Sequence, residues 1–274
     1  MAVKVHFLNC GTMYPRGAPL FVPYGERSCC LCLLLEAGGG LVLVDTGFGS
    51  GELEDPGRLG RVYGFVMNVR PRPEESAVRR VEKLGFKPED VRDIVCTHLD
   101  PDHAGGLADF PHARVHVTEM ELEALRNPAS RRERIRYHAG QFAHGPRWVV
   151  HGYRGGEPWF GMGCVRGLPG LPEGIVLVPL PGHTRGQVGV AVDTGEGWIL
   201  HCGDAYYVKE ELREVGKGPL GTRAFRRVAH CDHARAMRTL AEVRRVLREH
   251  GDKVALIASH DQFEYRNLFG LPLD

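Results

Sequence analysis

Thr97-His98-Leu99-Asp100-Pro101-Asp102-His103-Ala104-Gly105-Gly106 is the stretch on which the fold turns. Four side chains able to bind a metal, His98, Asp100, Asp102 and His103, fall within six residues. Hard and borderline divalent ions take this mixture of imidazole and carboxylate. Taken alone, such a cluster also fits a solvated polar turn. Its position, after the apolar run at residues 93–97 and before Ala104-Gly105-Gly106, favours a metal.

Working outward, four further segments share one feature: VLVDTGFG (42–49), PLPGHTRGQ (179–187), HCGDAYYVKE (201–210) and ASHDQFE (258–264). Each is a short apolar strand that ends in Asp or His beside small residues. Strands of one sheet end at a common edge, so Asp45, His183, Asp204 and His260 can meet the cluster at 98–103 although they lie far apart in the chain. Gly and Pro at these ends let the backbone turn sharply and approach closely.

Between these ends, short apolar strands alternate with helical stretches. Residues 3–8, 29–36, 41–45, 93–97, 114–117, 175–180, 188–193, 197–202 and 253–258 read as strands. Pro73-Glu74-Glu75 opens a helix to about Leu84, and Gly85 ends it. Thr118-Glu119-Met120-Glu121 has the capping-box pattern and starts a helix to about Arg126; a long helix is expected at about 232–250. Residues 47–73 read as a loop rich in Gly and Pro, and residues 127–170 show little periodicity. Strands before helices, twice over, suggest a sandwich of sheets with helices outside, and no linker separates two cores, so one α/β domain over residues 1–274 is expected.

Apolar residues make up 43% of the 274 and charged residues 25%, the balance of an ordinary globular chain and not of a disordered one. The net charge of +1 supplies no field that would draw nucleic acid or an anionic membrane. The N-terminal alternation Val3-Lys4-Val5-His6-Phe7-Leu8 looks like a first strand and not a signal peptide, and no run is long enough to cross a bilayer. A cytoplasmic protein with reduced thiols is expected. Most of its eight cysteines read as small hydrophobes in apolar strands; Cys29-Cys30-Leu31-Cys32 could form a redox or metal cluster, but buried strand cysteines are preferred.

The order DTG, HxxxDHxGG, GHT, GDA and SH resembles the metallo-β-lactamase superfamily over nearly the whole chain. Within it, the N-acyl homoserine lactonases look most similar, through Asp204-Ala205-Tyr206-Tyr207, Lys209-Glu210, His260-Asp261 and the stretch Leu84 to Asp90. The resemblance implies a four-layer αββα sandwich and a metal-dependent hydrolase, with a metal-bound hydroxide attacking a small ester-like bond, a lactone first. It implies two divalent ions, zinc foremost, with manganese or iron as alternatives. His98 and His183 would bind the first and Asp102, His103 and His260 the second. Asp204 would bridge both, and Asp45 would orient a ligand. Asp102 would also serve as a proton shuttle. Tyr207 falls where the lactonases place a tyrosine on the substrate carbonyl, while Tyr206 should face the core, because neighbours in extended chain point opposite ways. The expected partner is a small-molecule substrate, with neither nucleic acid nor membrane; the oligomeric state stays open. A phosphodiesterase of the same fold and a di-iron redox protein are the alternatives.

One departure matters. The family usually has HxHxDH, whereas this chain has Asp100 at the second position. Three outcomes are open. Asp100 ligates the first ion directly, as the glutamate of the flavodiiron variant does; it reaches the ion through water; or the first site is weak and one tight ion remains. Elsewhere, bland readings are preferred. His6, His112, His116, His151, His201, His230, His233 and His250 are taken as surface or hydrogen-bonded residues, and Arg131, Arg132, Arg134 and Arg136 as a solvated helix face. His138 and His144 are left uncertain. Phe48, Tyr63, Phe65 and Met67 are either an apolar lid or loop anchors.

Overall fold

The computed structural model describes residues 3–17, 27–153, 158–165, 167–213 and 218–269. Part of the poorly periodic segment, 154–157 and 166, lies outside them. Among the described residues, ten strands form two sheets. The first contains β1 (Lys4–Met13), β2 (Ser28–Ala37), β3 (Gly40–Val44), β4 (Val91–Val95), β5 (Arg114–Thr118) and β6 (Arg147–His151), side by side in that order. β1, β2 and β3 are antiparallel neighbours, and β3 to β6 run parallel. The second has the order β10 (Val254–Ile257), β9 (Trp198–His201), β8 (Val188–Asp193), β7 (Ile175–Pro179).

β2 is apolar on both faces because both are covered. Leu31, Leu33 and Leu35 pack with Val42, Val44, Val190, Val192 and Ile257 between the sheets. Cys32 and Leu34 point the other way, to a core shared with Ala77 and Val81 of one helix (Ala77–Lys83) and Leu122 of another (Glu119–Arg126). On the outer face of the second sheet, Leu240, Val243 and Val246 of the long helix His233–His250 cover Val176, Val178, Leu200 and Leu256. Three apolar layers thus hold four structural layers, helix, sheet, sheet and helix, as expected.

The differences from the sequence expectation lie in the loops. Residues 47–73 carry helices at Ser50–Glu54 and Arg61–Met67. They are short and Gly-interrupted, so no 3.6-residue period shows, and a small separate core of Met13, Cys30, Phe48, Leu53, Leu59 and Val69 anchors them. Pro73–Glu75 is a separate 3-10 turn before the helix that starts at Ala77. The segment after Arg126 holds helix Arg131–Arg136 and the edge strand β6. Helices Leu220–Ala229 and Gln262–Phe269 were not anticipated. None of the eight cysteines is in a disulfide, and those of β2 are buried.

The capping box is only half formed. Thr118 Oγ1 accepts from the Glu121 backbone at 3.2 Å. The Glu121 carboxylate turns inward instead, accepting from Leu99 N at 3.0 Å, Gly186 N at 3.1 Å and the Tyr137 hydroxyl at 3.0 Å. One buried side chain thereby fastens the 97–106 stretch to the GHT loop. Glu121→Gln turns an amide N–H onto one of these buried donors, which costs about 2 kcal/mol. Urea unfolding should report a loss of that size; a change below about 0.5 kcal/mol would mean that the clamp is idle.

Candidate metal centre

β7, β9 and β10 point the same way in the second sheet, as β3 and β4 do in the first. Their C-terminal ends carry His183, Asp204, His260, Asp45 and the 97–106 stretch, and all seven expected ligands meet in one cleft. The turns there are tight. Asp45 sits at φ 56°, a left-handed conformation that Asp tolerates better than most residues. Gly47, at φ +63°, passes so close to β1 that a Cβ would stand 2.0 Å from the Cys10 carbonyl oxygen. The DTG turn grips the metal stretch: Thr46 N donates to His103 O at 2.7 Å, and Gly106 N to Thr46 Oγ1 at 3.1 Å.

Each ligand histidine is held by its Nδ1. Asp45 accepts from Thr97 N and Thr97 Oγ1, both at 2.7 Å, and from His103 Nδ1 at 2.8 Å. Thr97 Oγ1, its proton committed to Asp45, accepts from His98 Nδ1 at 3.0 Å. His260 Nδ1 donates to the Cys29 carbonyl at 2.8 Å, and His183 Nδ1 lies 3.0 Å from the Tyr207 hydroxyl. Every Nε2 therefore faces inward, the arrangement that orients imidazoles for metal binding.

The inward atoms form two halves that share Asp204. His103 Nε2 and His260 Nε2 lie 3.3 and 3.2 Å from Asp204 Oδ1, and Asp102 Oδ2 is 3.4 Å from His260 Nε2. Donors about 2.0–2.2 Å from one tetrahedral ion stand roughly 3.3–3.5 Å apart, so this half fits an ion. In the other half, His183 Nε2 is 3.4 Å from Asp204 Oδ2 and 3.0 Å from Asp100 Oδ2, and His98 Nε2 is 3.5 Å from Asp100 Oδ2. His98 Nε2, His103 Nε2, Asp100 Oδ1 and Asp204 Oδ1 are buried without a hydrogen-bond partner. Orphans of that kind, all lone-pair donors, call for a cation.

The charges agree. Burial opposes ionisation of Asp204, yet His260, His103 and His183 hold its carboxyl well below the usual range. Burial likewise opposes a charge on His103, but Asp204 and Asp102 hold the ring well above the ordinary imidazole value. The cluster draws protons where an ion would supply charge.

Arg136 corrects the solvated-face reading of its basic run. Arg131, Arg132 and Arg134 are exposed, but the Arg136 side chain is only 9% exposed and reaches Asp100 with Nη1. The same Nη1 is 2.8 Å from His183 Nε2, and Nη2 donates to Ala229 O. Only the contacts distinguish it from its neighbours; the run of arginines carried no signal. His230, expected to be an ordinary histidine, is buried with neither ring nitrogen hydrogen-bonded, its ring centroid 5.5 Å from that of His183. Burial, with His183 and His233 beside it, pushes its pKa down to about 2. Tyr206 and Tyr207 diverge as expected: Tyr206 donates to Glu264 in the core, at 2.8 Å to Oε1, while Tyr207 faces the cleft.

A cavity of about 600 Å³ opens over the centre. Asp100, Asp102, His183, Asp204 and His260 form its floor, and Met13, Leu59, Val62, Val66, Met67, Ile135, Val208 and Phe225 its largely apolar wall. Of the uncertain residues, Tyr63, Met67 and His138 line it; His144 does not, and Phe48 is core.

Residues 28–260 match the family model of the metallo-beta-lactamase superfamily. The chain belongs to that superfamily. A probable metallo-hydrolase of Mycobacterium tuberculosis is 43% identical over 264 residues, 96% of this chain and 82% of that protein. An N-acyl homoserine lactonase from a Bacillus species is 28% identical over 184 residues, 66% of this chain and 65% of the lactonase. Among solved structures, an N-acyl homoserine lactone hydrolase with N-hexanoyl-L-homoserine at its catalytic metal centre superposes with a TM-score of 0.73 at 22% identity, covering 97% of each chain. This metallo-beta-lactamase-superfamily protein is a metallo-hydrolase of the expected fold.

Asp45 bears directly on metal affinity, because it sets the tautomer of His103 and, through Thr97, that of His98. Asp45→Asn removes the anion that accepts from both, and such outer-shell changes typically lower metal affinity about 10–100-fold. Competition against a chromophoric chelator should show this drop; a change under about threefold would mean that the histidines hold themselves.

Proposed function

We propose that this protein hydrolyses a small carbonyl ester bearing an apolar group, a lactone first, at a divalent-metal centre. The observation that carries this reading is the pairing of inward Nε2 lone pairs and buried carboxylates with an apolar cavity above them. Asp102, His103, His260 and Asp204 would hold one ion; His98, Asp100 and His183, with the other oxygen of Asp204, provide the donors for a second. Zinc suits the imidazoles, and the carboxylates leave manganese or iron as alternatives. A divalent ion there supplies Lewis acidity and water activation near neutral pH.

The chain's own residues supply the rest. The apolar wall from helices Arg61–Met67, Arg131–Arg136 and Leu220–Ala229 would take up an acyl or alkyl tail and shed water from its exposed side chains as it does so. Asp102, which lines the cavity, would accept a proton and pass it to the leaving group. Tyr207 borders the same floor and can turn its hydroxyl from His183 toward an oxygen that gains charge. Tyr63, its hydroxyl buried beside Asp102, offers a second donor. The product-bound lactone hydrolase of the same fold supports a small-molecule substrate. The apolar wall favours a carbonyl ester over the alternative, a phosphodiester. No helix among the described residues is long and apolar enough to cross a membrane. The burial of Cys29, Cys30 and Cys32 as small hydrophobes fits a reducing, cytoplasmic setting.

Steady-state assays on lactones, aryl esters and phosphodiesters, with bound metal measured in parallel, test the substrate class. Carbonyl esters should turn over, with kcat/KM rising as the acyl chain lengthens. Tyr207→Phe, assayed at saturating metal because its hydroxyl also holds His183 Nδ1, should lower kcat about tenfold, and Tyr206→Phe should do much less. Turnover of phosphodiesters but of no carbonyl ester would replace the lactonase reading with the phosphodiesterase one.

A further inference from the structure

The two halves of the metal centre are not equivalent, and the difference lies in one side chain. Among the described residues, Asp102 and Asp204 Oδ1 pair only with His103 and His260, and no Arg or Lys forms an ion pair with them. Around Asp100 and His183 there is Arg136. Its Nη1 points at both: it pairs with Asp100 Oδ2 and donates to His183 Nε2 at 2.8 Å. The Nε2 of a neutral imidazole has one lone pair in the ring plane. While that lone pair accepts an N–H, it does not bind an ion. A guanidinium does not deprotonate to make room, so the block is lifted only by movement.

Movement is restrained. Arg136 Nη2 is tied to the Ala229 carbonyl at the end of helix Leu220–Ala229. The short helix bearing Arg136 is fixed in turn: Ser130 Oγ caps it by accepting from Glu133 N at 3.2 Å, and Glu133 pairs with Arg185 of the GHT loop at 2.7 Å. Asp100 also stands where the resemblance leads one to expect a histidine. A carboxylate at that position and an arginine opposite it are a matched pair, since a neutral imidazole there would leave the guanidinium without a counter-charge. Charge balance points the same way: one divalent ion together with Arg136 neutralises Asp100, Asp102 and Asp204.

We propose that Arg136 is the built-in cation of the first half, so that the resting protein carries one tightly held ion, at Asp102, His103, His260 and Asp204, with the guanidinium as the second positive charge of the centre. A second ion binds His98, Asp100 and His183 only by expelling Arg136 from His183. This deepens the metallo-hydrolase reading and rests on it for the first ion alone.

Zinc and manganese titrations of the metal-free full-length chain, with metal counted by elemental analysis after dialysis, test the proposal without any substrate. Wild type should retain one ion per chain, and a second should bind about a hundredfold more weakly or worse, the scale expected for separating a buried ion pair. Arg136→Met keeps the aliphatic stem and frees His183 Nε2. It should retain two ions, and with manganese its EPR spectrum should change from that of an isolated ion to that of an exchange-coupled pair. If Arg136→Met does not fold, Arg136→Lys, which keeps the charge but loses the fork, should tighten the second ion by about tenfold. Two ions of comparable affinity in wild type overturn the proposal, as does a second-ion affinity unchanged in whichever variant folds. These readouts are independent of hydrolysis: a protein that turns over no ester but shows this metal pattern sinks the substrate reading and leaves Arg136 in its role.

Discussion

The structure depends on keeping four imidazole lone pairs and three carboxylates in a buried cleft at the mouth of two sheets. Burying so much unpaired polarity is unfavourable unless every ring is held from behind and a cation completes the front. Each ring is held by a different device: His103 by Asp45, His98 by Thr97, His260 by the Cys29 carbonyl of β2, and His183 by Tyr207. Asp45 matters most, because it accepts three hydrogen bonds while held at 0% exposure, and its left-handed backbone aims it there. Strain at such a position persists only where the surroundings over-determine it, and here Thr46 and Gly106 lock the turn from the other side.

The sandwich makes this possible because each sheet contributes strand ends to one edge. The first sheet brings the DTG turn and the 97–106 stretch; the second brings His183, Asp204 and His260. Neither set closes a metal site alone. Asp204 is central because its two oxygens face different halves, Oδ1 toward His103 and His260 and Oδ2 toward His183. Glu121 ties the same two sheets together one layer out, through backbone donors at Leu99 and Gly186. Thus the inter-sheet packing that stabilises the fold also fixes the distances within the centre.

Above this rigid floor the wall is built differently. Its helices are short, and several of its apolar side chains are open to solvent: Val62 is 73% exposed, Ile135 60% and Val66 42%. Such residues gain burial when an apolar group enters, which is the physical basis for proposing a substrate with a hydrocarbon portion. The same wall delivers Arg136 to the floor, so the part of the molecule that meets the substrate also sets the charge of the metal centre.

The sequence by itself determined nine of the ten described strands, the long helix and the candidate ligands that meet in one cleft, because each rests on a local rule. Apolar runs of strand length ended in Asp or His, and five such ends in a fixed order carried the resemblance. Even the opposite facing of Tyr206 and Tyr207 followed from the alternation of extended chain. What tertiary structure alone decided were contacts between segments distant in the chain. Arg136 looked like its three neighbours, and only the approach of Asp100, His183 and Ala229, 36, 47 and 93 residues away, separates it from a solvated face. Glu121 fitted a local capping box, but two unpaired backbone donors from other loops competed for its carboxylate and won. His230 was a buried histidine hidden among fourteen. Helix Arg61–Met67 of the cavity wall escaped notice because a short, glycine-broken segment acquires its order from packing Tyr63 and Met67 on the core of Phe48 and Leu53, not from a period of its own.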